Sequence, residues 1–176
     1  MGNTTHELSR IQIFKQVTND RLLDIGDMLS LDVRRNKIAF TLVAFDGEYH
    51  ATARVRHYVD VADAKLLCYD ILNGFFTECY TSGSTEHNDV LQAQVLTIRK
   101  NLKYHVIKID NGIGEQLPSG EVKMAQTTDS LTIRLAEWDA RKMAMSLLDY
   151  IRDWETVNFR KRQEAQTQIV SYQTSS

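Results

Sequence analysis

Thr132-Ile133-Arg134-Leu135, with a helical segment from Trp138 to Trp154 behind it, has a counterpart earlier in the chain: Arg54-Val55-Arg56-His57, then a helix expected from about Asp60 to Leu72. In both, a short strand alternates polar and apolar residues, Arg on one side and Val or Ile on the other. In both, an Asp-Ala-basic triplet opens the helix, Asp63-Ala64-Lys65 and Asp139-Ala140-Arg141. The apolar residues of the first helix are Val61, Ala64, Leu67, Cys68, Ile71 and Leu72. Those of the second are Ala140, Met143, Ala144, Leu147, Leu148, Ile151 and Trp154. The three-and-four spacing of each set marks one buried helical face. The expected class is therefore α+β: antiparallel sheets with two helices packed on one face, a strands-then-helix unit written twice over 10–74 and 89–157.

Bulk properties bound the function. The 176 residues are 43% hydrophobic and 25% charged, enough for one domain with an ample core over 10–157. A net charge of −2 and a pI near 6.2 announce no general affinity for nucleic acid, so an anionic partner must meet a local basic face. Cys68 falls on a buried helical stripe and Cys79 in a strand-like run, which implies free thiols and a reducing, cytoplasmic setting. No apolar run approaches the ~20 residues of a membrane span, and Met1–Glu7 lacks the basic start and apolar core of a signal peptide.

Taken in order, residues 1–9 read as a flexible polar lead. Arg10–Lys15 alternates as a first strand, with Ile11 and Ile13 inward and Arg10, Gln12 and Phe14 outward. Leu22–Val33 mixes apolar and polar residues and reads as a second strand by Met28–Val33; Arg34–Lys37 reads as a basic turn and Ile38–Phe45 as a third strand. Asp46-Gly47 signals a hairpin into Tyr49–Tyr58. Asn73-Gly74 stops the first helix. Phe75–Tyr80 reads as a short strand or crossover, Thr81–Asn88 as a surface loop, and Val90–Lys100 with Tyr104–Ile109 as a hairpin turning at Asn101-Leu102-Lys103. Asp110–Gly120 reads as a glycine-containing loop, Leu131–Leu135 as the last strand, and 158–176 as a polar tail, helical or disordered.

Aliphatic residues of these strands must face the helices, leaving an outer face of a different kind. That face is expected to carry Arg54, Arg56, Arg99, Lys108 and Arg134, interleaved with Tyr58, Tyr104, Phe40 and Phe14. Cations neutralise phosphates and exposed rings stack on bases of any sequence, so this is the chemistry of a single-strand platform. An ordinary solvated sheet face shows the same alternation.

The order strands, helix, Phe-Phe connection, strands, helix resembles the Whirly family. The likeness is carried by Phe75-Phe76-Thr77-Glu78, Leu96-Thr97-Ile98-Arg99-Lys100-Asn101, and Leu135-Ala136-Glu137-Trp138 through Ile151-Arg152-Asp153-Trp154. Where that family's first strand carries Lys-Gly-Lys-Ala-Ala-Leu, this chain has Phe14-Lys15-Gln16-Val17-Thr18-Asn19. The resemblance implies a non-catalytic protein that binds single-stranded DNA with little sequence preference and assembles as a homo-tetramer. RNA binding on the same fold, or an assembly role without nucleic acid, are the alternatives.

Enzyme signals are sparse. Asp110-Asn111-Gly112-Ile113-Gly114 matches the Asp-x-Gly-x-Gly element of ATPases related to DNA gyrase, but no helix precedes it to supply their Glu and Asn, and turn chemistry also explains Asn111-Gly112. His6, His50, His57, His87 and His105 form no metal-ligand spacing. No nucleophile elbow or phosphate loop is present, so no cofactor and no metal are expected. Trp138 and Trp154 are expected at the core ends of the second helix.

Overall fold

The two alternating segments each become the last strand before a helix. The computed structural model describes residues 11–29, 37–74, 78–87 and 90–173, without the side chains of 78–81, 85–87 and 161–173. Its elements run β1 (Gln12–Val17), β2 (Arg21–Asp27), β3 (Lys37–Phe45), β4 (Ala51–Asp60) and α1 (Val61–Asn73). Then follow β5 (Glu78–His87), β6 (Val90–Lys100), β7 (Tyr104–Gln116), β8 (Val122–Ala136) and α2 (Glu137–Gln173). The class is α+β: two antiparallel sheets, β1-β2-β3-β4 and β5-β6-β7-β8, and two helices.

Both helices bury the faces their spacing implies. Ala64, Leu67, Cys68 and Ile71 of α1 and Ala140, Met143, Ala144, Leu147 and Ile151 of α2 are buried in one core cluster. Val61, Leu72 and Leu148 are partly buried against it. α1 ends at Gly74, whose left-handed φ of +69° lets its N–H close on the Asp70 carbonyl. The helices pack on each other, with Lys65 Nζ 2.9 Å from Glu155 Oε2. The first sheet supplies Leu23, Ile25, Ile38, Phe40, Leu42, Val55 and Val59, and the second Leu96, Ile98, Ile107, Ile109, Leu131, Ile133 and Leu135. A Cβ added to Gly83 of β5 would stand 3.5 Å from His57 Cε1 of β4, so the inner faces of the two sheets meet directly there.

Several expectations need correction. The strand after β1 is Arg21–Asp27, ahead of the Met28–Val33 segment; Met28-Leu29 are outside the sheet, and residues 30–36, with the rest of that segment, lie outside the described set. Thr81–His87 is part of β5, not a loop, so the second sheet has four strands and begins at Glu78. Asp110–Gln116 continues β7, and the turn is confined to Leu117–Glu121, where Leu117 N–H donates to Glu121 O at 2.7 Å. The backbone of the tail is helical to Gln173. The Asp46-Gly47 hairpin is present with a longer loop than two residues: the Asp46 carboxylate accepts the N–H groups of Glu48 and His50, both at 2.9 Å.

Phe14 and Phe40 face inward. Register puts Phe14 beside Ile25, Ile25 beside Phe40, and Phe40 beside His57, one continuous row on the core side. A bulge between Gln12 and Phe14 breaks the alternation that would have sent Phe14 out, and it leaves Ile11 exposed. β3 is buried on both faces, so its run Ile38-Ala39-Phe40-Thr41-Leu42-Val43-Ala44 carries no alternation to read.

Candidate nucleic-acid interface

Because each sheet turns its aliphatic side to the shared core, the cations expected on one face fall on two. Arg54, Arg56 and Tyr58 alternate along β4 on the outer face of the first sheet; Arg99, Lys108, Arg134 and Tyr104 lie on the outer face of the second.

The first face is narrow. Arg56 lies across β3, its Nε donating to Thr41 Oγ1 at 3.0 Å, and Thr41 is buried. Register carries that row on to Asp24, whose carboxylate accepts Gln12 Nε2 at 2.7 Å. Arg54 is exposed beside Val43 and Leu22, and Tyr58 is half-buried beside Ala39. Of the three, only Arg54 is exposed, while Arg56 and Tyr58 are half-buried.

The second face is broader. Arg99, Val106 and Arg134 form one cross-strand row, and Thr97, Lys108 and Thr132 the next. Arg99 and Arg134 are two strand spacings apart, about 10 Å. At one end of the face the Arg134 guanidinium carbon sits 5.2 Å from the centre of the Tyr104 ring, within cation–π range. Asn101 orients that ring by donating from Nδ2 to the Tyr104 hydroxyl at 3.1 Å, while Asn101 Oδ1 accepts the N–H of Leu102. Lys108 Nζ is 2.9 Å from the largely buried Asp110 carboxylate, which fixes the lysine on the face and offsets part of its charge. The arrangement offers three cations, an oriented ring and small polar residues between them, a surface on which a phosphate chain and a base can lie side by side.

The sequence gives no warning of Asp110 as a counter-charge or of Thr41 as the partner of Arg56. The turn residue Asn101 is visible in the sequence, but its hold on Tyr104 is not. Phe40 is fully buried and Phe14 partly buried against the core, so neither offers a ring to a base. Trp138 is 69% exposed at the start of α2, not in the core, and Trp154 is half-buried in a shallow groove between the helices with Lys65 and Glu155.

Other titratable groups take their shifts chiefly from burial. His57 is fully buried and its pKa is pushed down to about 4 by burial, then by Lys37, against the opposing effect of Asp60. His105, equally buried, is lowered by burial despite Glu137 Oε2 at 3.6 Å. Burial pushes the Cys68 thiol up to about 12, so it is no nucleophile. Burial, then its hydrogen bond to the buried Asp27, raises Tyr150, which ties α2 to β2. The glycines of the Asp-x-Gly-x-Gly stretch answer to packing: a Cβ at Gly112 would stand 1.9 Å from the Gln126 carbonyl oxygen. Among the described residues no group of three or more His, Cys, Asp or Glu could hold a metal, and no helix is long and apolar enough to cross a membrane.

No family model and no curated protein matches the sequence.

Proposed function

We propose that this chain is a non-catalytic, cytoplasmic protein that binds single-stranded DNA with little dependence on sequence, in replication, recombination, repair or transcription. The observation that carries the reading is the outer face of β6–β7–β8, where Arg99, Lys108 and Arg134 surround an oriented Tyr104. Phosphates meet the cations, and a base stacks at the Tyr104–Arg134 end of the face. The resemblance to the Whirly family points the same way and adds a homo-tetramer.

The test is binding of the purified chain to a fluorescent oligonucleotide of roughly thirty bases, longer than the ~4–16 nucleotides a single-strand site of this kind takes up. It is run as DNA, RNA and duplex across a salt series. Salt-sensitive binding to single-stranded DNA is the expected result. A preference for RNA would assign the face to contacts with 2′-hydroxyls instead. No binding to any of the three at low salt would remove the proposal.

A second reading, an assembly subunit without nucleic-acid affinity, is favoured by one observation. Leu66 and Tyr69 of α1 and Met145 of α2 are exposed on the helical side of the molecule, beside the mixed charges of Lys65, Asp149, Arg152 and Glu155. Exposed apolar groups ringed by polar ones are the composition of a protein contact.

A further inference from the structure

The outer face of the second sheet is closed at one end. Beyond the Lys108 row come Val95–Asp110–Ser130 and then Ala93–Gly112, on the same side of the sheet. There β8 carries two extra residues, where register skips from Asp129 to Thr127 and from Gln126 to Met124, and such bulges bend a strand. Bare glycines let the bent hairpin come down onto its neighbours. A Cβ at Gly112 would meet Met124 Sδ at 2.6 Å, and one at Gly114 would meet Val122 Cγ1 at 2.8 Å. The hairpin tip thereby walls a groove of about 670 Å³ against β5 and β6. That volume lies within the roughly 300–1,000 Å³ of ordinary small-molecule sites.

The lining has a definite chemistry. Ala93 and Val95 make an apolar floor, Ser82 and Ser84 stand on the β5 side, and Met124 and Lys123 on the hairpin side. We infer that this groove takes in one nucleobase of the strand lying on the same face, so that a bound strand has a single sequestered base at its hairpin-tip end. The inference rests on the single-strand reading of that face. A flat ring matches an apolar floor with a thioether beside it, since sulfur packs well against ring edges. Serine hydroxyls both donate and accept, so they serve the polar edge of any base without choosing among them. Lys123, exposed at the rim, is placed for the phosphate that follows. From the Arg99 row to the Ala93 row is six residues along β6, about 20 Å, room for a few nucleotides between the stacking end and the groove.

The test uses the full chain and the shortest DNA oligonucleotide that binds it, so that one register is available. A single 2-aminopurine is moved through the sequence, and its accessibility to acrylamide is measured in the complex. One position, near one end, is expected to be shielded several-fold more than the others. Ser84→Trp and, separately, Ser82→Trp fill the groove from exposed rim positions without touching the arginines. Each should remove that shielding while salt-dependent binding persists, with folding checked by circular dichroism. Equal shielding at every position in a normal complex overturns the groove inference alone, as does shielding that survives both tryptophans. Absence of any wild-type complex at low salt overturns the single-strand reading and the groove with it.

Discussion

On the first sheet the Arg56 side chain reaches across to β3 and donates to Thr41, whereas on the second Arg134 rides on a tyrosine ring at the surface. The central strand beneath Arg56 is buried on both sides; the strands beneath Arg134 are buried on one side only. The same residue type at the same kind of strand position therefore serves packing in one half of the molecule and solvent in the other. Under the proposed function the first sheet is the frame and the second the working face, and substitutions should separate the two.

The largest separation is expected at Phe40. It is fully buried in the first sheet, and its truncation to Ala should cost about 3–5 kcal/mol, a fall in Tm of roughly 6–20 °C for a domain of this size. Chemical and thermal denaturation measure it. A loss under about 1 kcal/mol would mean that Phe40 is not a core residue and would restore it as a stacking candidate.

Next comes acid. His57 titrates near 6.5 when unfolded and about 4 when folded, because burial and Lys37 disfavour its charged form. Well above pH 6.5 it is neutral in both states and pH has no effect through it. As pH falls from 6.5 towards 4, the unfolded chain takes up the proton first and stability is lost, by about 3 kcal/mol at the limit. His105 is shifted in the same direction and adds to the loss. His57→Gln, which cannot be protonated here, should shrink the stability difference between neutral and acid pH. An undiminished difference in that variant would place the acid sensitivity elsewhere.

What could be read ahead of the structure follows from which signals are periodic. Helix faces repeat at three and four and end at Gly74; β4 and the end of β8 alternate arginine or threonine with aliphatics. Those parts were legible. Thr81–His87 is Thr-Ser-Gly-Ser-Thr-Glu-His, with no aliphatic to alternate, so β5 leaves no pattern. Gly112 and Gly114 look like turn residues because glycine has two uses; here they admit a close-packed, bulged hairpin. The division of the cations was not legible for another reason. Strands separated by α1 share a parity rule for inside and outside, but parity does not say whether they belong to one sheet or two.

On the working face, Arg99→Ala with Arg134→Ala should lower the salt slope of single-strand binding by about two units, one for each phosphate that is no longer neutralised. Both are exposed on one row, so the fold should persist. Lys108 is the poorer probe, because its removal would leave the largely buried Asp110 carboxylate without its cation. An unchanged slope in the double variant would remove the second sheet from the interface.

The smallest effect on binding is expected from the matching pair on the frame, Arg54→Ala with Arg56→Ala. The removed formal charge is the same, so a site that sensed only net charge would show the same drop of two units. Arg56 is already engaged with Thr41, and only Arg54 is exposed, which leaves a drop of at most about one unit. The Arg56 change should instead register in stability, by roughly 1 kcal/mol, since it strips the buried Thr41 hydroxyl of its donor. Measured side by side, the two double variants distinguish a site defined by geometry from one defined by charge. Equal slopes would mean that strands wrap both sheets and that the frame is part of the interface; unequal slopes, with the stability cost on the β4 pair, would confine binding to the face that holds Tyr104.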